Sequence, residues 1–112
     1  MRCVATILVI ENDEAVAELL AEVVRRLGHT PHDPRETWQL PESFAAVVLE
    51  PGDAGTLGWA RLLRSLRPDL PLVCVSRYDR LPEAIELGPA AYLVKPFPLA
   101  ELERALREIV AE

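Results

Sequence analysis

Short apolar runs alternate with helix-length amphipathic segments along this chain, and this alternation constrains the fold more than any other feature of the sequence. The clearest runs occupy residues 5–10, 45–49, 72–75 and 91–94. Runs that are apolar at every position are typical of strands covered on both faces of a parallel sheet. A weaker strand is predicted at 29–32, where Pro31 removes a ladder donor and therefore requires an edge position.

The intervening segments have helical periodicity. The first helix has an apolar stripe from Val16 to Leu27 and ends near Gly28, with Asn12 or Asp13 as its N-cap. Two further stripes comprise Trp59, Leu62, Leu63 and Leu66, and then Leu99, Leu102, Leu106 and Ile109. Arg61, Arg64 and Arg67 should form the solvated face of the middle helix, with a patch for an acidic partner as the alternative. The segments 33–43 and 82–87 leave room only for shortened second and fourth helices.

Strands alternating with helices predict an α/β fold with a doubly wound, five-stranded parallel sheet. The flavodoxin-like order 2-1-3-4-5 is the commonest for five strands, and it leaves the strand that contains Pro31 at an edge. We expect a single domain over residues 1–112.

Charge and cysteine content limit the classes of partner. The chain has 112 residues, 18 acidic and 12 basic, with a formal net charge of −6. An acidic protein lacks the basic surface that nucleic acid or an anionic membrane requires, so neither partner is expected. No segment is long enough to span a bilayer. Two cysteines beside an adequate core indicate free thiols and a cytoplasmic protein.

Polar residues follow four of the predicted strands. Glu11-Asn12-Asp13 follows the first, Glu50 the third, Ser76 the fourth and Lys95 the fifth. Ligands of such folds bind beyond the carboxyl ends of the strands, so these side chains should meet in one pocket. Lys95 is the one lysine beside 11 arginines, which favours a role for a compact ammonium group.

The chain resembles the receiver domain of two-component response regulators over about residues 5–110. The residues that carry the resemblance are Ile7-Leu8-Val9-Ile10-Glu11-Asn12-Asp13-Glu14, Val47-Val48-Leu49-Glu50, Ser76, and Gly88-Pro89-Ala90-Ala91-Tyr92-Leu93-Val94-Lys95-Pro96-Phe97. Family receivers accept a phosphoryl group from a histidine kinase on an aspartate after the third strand, with the help of magnesium. The resemblance also implies a cis bond before Pro96.

The resemblance assigns a role to each pocket position. Glu50 stands at the phosphoacceptor position, Glu11 and Asn12 at the acidic pair, and Gly52 at the carbonyl that binds the metal. Ser76 and Lys95 stand where the family contacts the phosphoryl group, and Tyr92 stands at the switch aromatic. Neither the aspartate acceptor nor the second acid of the pair is present.

These substitutions change the expected chemistry. Magnesium prefers oxygen ligands in near-ideal octahedral geometry, so Asn12 and the longer Glu50 should make its binding weak or absent. The extra methylene of Glu50 also displaces the nucleophile by roughly 1.5 Å, and about 1 Å can cost on the order of 100-fold in rate. Phosphorylation is therefore not expected. The same methylene should bring the Glu50 carboxylate to the Lys95 ammonium group, with Ser76 or Asn12 as a further donor. This contact would either hold the switch near one state or be a structural ion pair alone.

The leading hypothesis is a pseudo-receiver: not an enzyme, without a cofactor, and signalling through protein partners independently of phosphorylation, with a homodimer as one form. The alternative is a conventional receiver with a degenerate pocket, weakly phosphorylated at Glu50 or Asp53. A flavodoxin-like ligand binder is disfavoured because no phosphate-binding glycine loop follows the first strand. The family's usual partner face, built from the fourth helix, fifth strand and fifth helix, would here present Tyr92, Glu101, Arg104 and Glu108.

Overall fold

The computed structural model describes residues 4–110 and contains a five-stranded parallel sheet in the order β2-β1-β3-β4-β5. The strands are β1 (Thr6–Ile10), β2 (Thr30–His32), β3 (Ala46–Leu49), β4 (Leu72–Ser76) and β5 (Ala91–Val94). The helices are α1 (Glu14–Arg26), α2 (Pro34–Thr37), α3 (Thr56–Leu66), α4 (Pro82–Ile85) and α5 (Leu99–Ile109). The predicted fold class, strand order and shortened second and fourth helices are confirmed.

The strand sequences account for their places in the sheet. β3 and β4 are buried along their whole lengths, as their uninterrupted apolar sequences require. Pro31 lies opposite Ile7 in the edge strand β2. A strand at the edge pairs on one side only, so the N–H that proline lacks is not needed on its open side. Cys74 is a buried free thiol within β4, and Cys3 lies outside the described residues.

Side chains from alternate strand positions enter two separate cores. Ile7 and Val9 of β1 pack with α1 and α5 on one face, whereas Leu8 and Ile10 pack with α3 and α4 on the other. Asp13 caps α1, since its carboxylate accepts from the N–H groups of Ala15 and Val16, and this leaves Asn12 to the pocket. Every helix within residues 4–110 is too short or too polar to cross a bilayer.

The predicted buried stripe of α3 is only partly correct. Leu63 is fully buried, but Leu62 and Leu66 are 48% and 59% exposed. The neighbouring helices α2 and α4 have four residues each, about one turn, and are too short to flank α3 along its length. The sequence pattern marks apolar positions and does not show whether another element covers them.

The prediction that all three arginines near α3 are solvated is also wrong. Arg64 donates to the carbonyls of Leu87, Pro68 and Leu70 at 2.9, 2.8 and 2.7 Å, and so joins the end of α3 to the loop before β5. The Arg67 guanidinium lies 5.0 Å from the centre of the Phe44 ring and donates to the Phe44 carbonyl. Arg61 alone is exposed as expected.

We expect Arg64→Ala to lower the free energy of unfolding by about 2–3 kcal/mol, because it leaves several carbonyls without their charged donor. Urea denaturation followed by circular dichroism measures the change. Arg61→Ala is the matched control on the same helix and should alter stability by about 0.5 kcal/mol or less. Equal effects of the two substitutions would show that the contacts of Arg64 add nothing to stability.

Candidate functional site

The carboxyl ends of four strands bring the predicted pocket residues together. Glu50 follows β3, and its N–H donates to the Ile10 carbonyl at 3.1 Å, which ties it to the end of β1. The Lys95 N–H likewise donates to the Ser76 carbonyl at 2.7 Å, so Lys95 lies beside the end of β4. Glu11 completes the group directly after β1, and it is 3% exposed.

The Glu50 carboxylate is fully buried and has three described donors. Oε1 accepts from Lys95 Nζ at 3.2 Å and from the Arg77 N–H at 3.1 Å. Oε2 accepts from the Gly52 N–H at 3.0 Å. The predicted contact between Glu50 and Lys95 is confirmed. The further donors to Glu50 are therefore the backbone N–H groups of Gly52 and Arg77, where a side-chain donor was expected.

Ser76 and Asn12, the expected further donors, have other partners. The Ser76 hydroxyl oxygen accepts from the Tyr78 N–H at 3.0 Å, within the turn that follows β4. The side-chain oxygen of Asn12 accepts from the Arg35 guanidinium. That part of the prediction is wrong, because each side chain meets a closer partner in its own loop or in α2.

Glu11 and Lys95 form the shorter ion pair of the pocket. Lys95 Nζ lies 2.5 Å from Glu11 Oε1, and the Asp13 N–H donates to Glu11 Oε2 at 3.2 Å. Burial raises the pKa of Glu11, and the nearby Asp53 adds to this, so the pKa stays above its ordinary value despite Lys95. Burial alone would lower the pKa of Lys95, but Glu11 and Glu50 together outweigh it and raise that pKa.

Asp53 and Arg77 belong to the site; the sequence named Asp53 only as an alternative acceptor and did not assign Arg77 to the site. The Asp53 side chain is 6% exposed; it accepts from the Asn12 N–H at 2.8 Å and from Arg77 Nη2 at 3.0 Å. Arg77 Nε also lies 3.8 Å from Glu50 Oε1. The available signal was the position of each residue, since Asp53 is three residues after Glu50 and Arg77 directly follows Ser76.

A second arginine reaches the pocket from α2. Arg35 is paired with Asp33 at 2.9 Å, and its Nη2 donates to the Glu11 carbonyl at 3.0 Å. Its other contact is the Asn12 side-chain oxygen. The loop after β1 is therefore bound to the start of α2 by one guanidinium group.

The residues that the resemblance assigns to magnesium do not fit the ion well. One assigned position is an amide whose oxygen is bonded to Arg35, and another is the Glu50 carboxylate with its three donors. The Arg77 guanidinium also lies beside the carboxylates of Glu50 and Asp53. Cationic side chains thus hold the oxygen atoms that a divalent ion needs.

Tyr92 connects the pocket loop to β5. Its ring is half-buried against the core beneath α3, and its hydroxyl donates to the Tyr78 carbonyl at 2.9 Å. The Tyr78 ring in turn lies over Gly52, where a Cβ atom would stand 2.6 Å from the ring. A side chain at position 52 would therefore require the Tyr78 ring, which is 46% exposed, to move.

Comparison with known proteins identifies the family. No protein-family model matches the chain. NtrC of Azospirillum brasilense, a DNA-binding transcriptional regulator, is 33% identical over 91% of the chain, and the response regulator FleR of Pseudomonas aeruginosa is 35% identical over 96%. The response regulator MprA of Mycobacterium ulcerans is 32% identical over 93%. The chain is a response regulator receiver domain. It covers 24% of NtrC and of FleR and 49% of MprA, so it spans about a quarter to a half of these relatives.

Solved receiver domains share the fold of this one. The non-phosphorylated HemR receiver domain from Leptospira biflexa superposes with a TM-score of 0.80 at 24% identity, covering 96% of this chain and 95% of that one. The BeF3-activated DrrB receiver domain gives 0.83 at 18% identity, covering 98% and 100%. The cis peptide bond expected between Lys95 and Pro96 is also present in this receiver domain.

Proposed function

We propose that this receiver domain works without phosphotransfer, as a protein-interaction module in signalling whose pocket is fixed by the ion pair between Glu50 and Lys95. The observation that carries the proposal is the state of Glu50, which is fully buried and bonded through both oxygens. Because the Glu50 side chain is fully buried, a phosphodonor has no open path to either carboxylate oxygen. In this role the domain is not an enzyme.

The charge of the pocket supports the proposal. Its charged members are Glu11, Glu50 and Lys95 together with Asp53 and Arg77. Phosphoryl transfer depends on positioning and on neutralisation of charge, much of it by metal ions. In this pocket Lys95 and Arg77 already offset two of the three carboxylates, so little negative charge is left for magnesium, which must also compete with arginine for its ligands.

The contacts of the loop after β4 support a fixed state rather than a switch. The Glu50 carboxylate accepts from the Arg77 N–H, and the Ser76 hydroxyl oxygen accepts from the Tyr78 N–H. The Tyr92 hydroxyl donates to the Tyr78 carbonyl. The segment that would respond to a phosphoryl group is thus tied from both sides. Partner binding would then be set as the protein is synthesised, and a homodimer is one form such binding could take.

We expect magnesium at about 10 mM to leave the tryptophan fluorescence unchanged, a concentration chosen against the millimolar range of weak cation sites. We also expect no mass increase after incubation with a small phosphodonor, measured by mass spectrometry of the intact protein. Both outcomes follow from the occupied oxygen atoms of Asn12 and Glu50.

A responsive control is needed for the negative result. Arg77→Ala with Arg35→Ala removes the arginine contacts with Asn12, Asp53 and the side chain of Glu50, so this variant should bind magnesium more tightly than the wild type. Saturable quenching of the wild-type protein at or below 10 mM, or a phosphorylated wild-type species, would instead support the conventional receiver with a degenerate pocket.

A further inference from the structure

The face of α3 exposes large apolar side chains that have no role in the pocket. We call Trp38, Trp59, Leu62 and Leu66 the α3 stripe. The three α3 members are spaced i, i+3 and i+7, which places them along one side of the helix. Trp38 joins them from the end of α2, with its ring centre 6.5 Å from that of Trp59. Trp38 is 78% exposed and Leu62 and Leu66 are both more than 45% exposed, whereas Trp59 is half-buried against the core below α3.

Trp38 is held in an unusual backbone conformation. Its φ of +56° lies in the left-handed region, which a bulky residue seldom adopts. Its N–H donates to the Pro34 carbonyl and closes the single turn of α2. The backbone therefore accepts strain while the largest apolar side chain of the loop is presented to solvent beside a second tryptophan.

The charge of α3 differs from that of the other long helices. α3 contains Arg61 and Arg64 and no acidic residue, whereas α1 and α5 each carry three glutamates. Arg64 is engaged with backbone carbonyls, so Arg61 is the exposed cation of α3, and it lies on the Leu62 side of the stripe. A partner segment must bring apolar side chains to the stripe and carboxylates to Arg61.

We infer that the α3 stripe binds an acidic amphipathic helix of a partner protein. Paired tryptophans beside an arginine are the residue types that most often dominate binding energy at protein interfaces. The charge of the occupant follows from α3 itself, where Arg61 is an exposed cation and no carboxylate is present to compete with those of a partner. This surface is separate from the Glu50 pocket, so it goes beyond the proposed function and does not depend on the phosphorylation state.

The test uses the whole domain and two designed peptides of roughly 18 residues, long enough for a stable helix. Both peptides present the same leucine face; one carries flanking glutamates and the other carries lysines at the same positions, and neither contains tryptophan. Trp38 and Trp59 are the two tryptophans of the chain, so tryptophan fluorescence reports directly on the stripe. We expect the glutamate peptide to bind at least about tenfold more tightly than the lysine peptide.

Variants locate the binding surface. Leu62→Ser with Leu66→Ser should weaken binding of the glutamate peptide by at least about tenfold, and Arg61→Glu should reverse the preference between the peptides. Leu19→Ser is the matched control, since Leu19 is 47% exposed on α1, away from the stripe. Circular dichroism checks that each variant is folded.

Three results would overturn the inference. One is equal affinity for both peptides or an unchanged affinity of the double leucine variant. Another is a fluorescence change with vesicles rich in anionic lipid but with neither peptide, which would make the stripe a membrane contact. The third is self-association in sedimentation experiments that Leu62→Ser abolishes, which would make the occupant a second copy. None of these results bears on the phosphodonor test of the pocket.

Discussion

Glu50→Asp alone is expected to leave the domain unphosphorylated, whereas Glu50→Asp with Asn12→Asp should show magnesium-dependent phosphorylation about 100-fold above that of Asn12→Asp alone. The shorter side chain withdraws the nucleophile from Lys95 and returns it to the distance that the reaction requires, an effect on the order of 100-fold for about 1 Å. The shortened nucleophile can react only when a second carboxylate at position 12 helps to hold the metal.

Mass spectrometry after incubation with a small phosphodonor, with and without magnesium, measures the gain. Asp53→Asn in the same background tests the other acidic residue considered as an acceptor, and it should not remove the gain, because the Asp53 carboxylate is occupied by Arg77 and by the Asn12 N–H. Full magnesium-dependent phosphorylation of the Glu50→Asp single variant would mean that the pocket has degenerated less than we propose. The weakly active conventional receiver would then be the better account.

Lys95→Met is expected to lower the free energy of unfolding at pH 7 by about 3 kcal/mol, because it leaves two buried carboxylates without their shared cation. In the wild type Glu11 and Glu50 are 3% and 0% exposed, so solvent cannot take the place of the ammonium group. Chemical denaturation provides the measurement. Arg104→Met removes a charge from an exposed position of α5 and should have little effect.

The pH dependence distinguishes this effect from a loss of packing. The pKa of Lys95 is raised above 10.5 in the folded protein, so its stabilising contribution is complete below that pH and is lost as the pH rises through the folded value. The variant should lack this alkaline loss. Its stability should instead increase as the pH falls below neutral, because burial already raises the pKa of Glu11 and the loss of Lys95 raises it further. A loss of stability that is constant with pH would show that the methylenes of Lys95 matter and its charge does not.

The fold was predictable because it depends on patterns that do not need tertiary information. The uninterrupted apolar runs of β1, β3 and β4 require cover on both faces, and Pro31 leaves an edge position for β2. The exposure of Leu62 and Leu66 was not predictable in the same way. Periodicity identifies the apolar side of α3, but whether that side is covered depends on the lengths of α2 and α4.

The site was predictable where its members come from strand ends and not where they come from loops. Glu11, Glu50 and Lys95 meet because parallel strands end at the same edge of a sheet. Arg35 and Arg77 reach the pocket with long side chains from a helix and a loop, and their direction is decided only by the carboxylates and carbonyls around them. The N–H groups that Gly52 and Arg77 donate to Glu50 are backbone groups, whose orientation no side-chain pattern reports.

The unequal helical layers imply that the two faces of the sheet open at different rates. The layer of α1 and α5 contains helices of 13 and 11 residues, whereas α2 and α4 have four residues each. A single turn has no cooperative stability of its own and persists only through what it packs against. The amide protons of α2 and α4 should therefore exchange with solvent through local opening, well before global unfolding exposes those of α1 and α5. One side of this domain is in effect a rigid support, while the other fluctuates around α3.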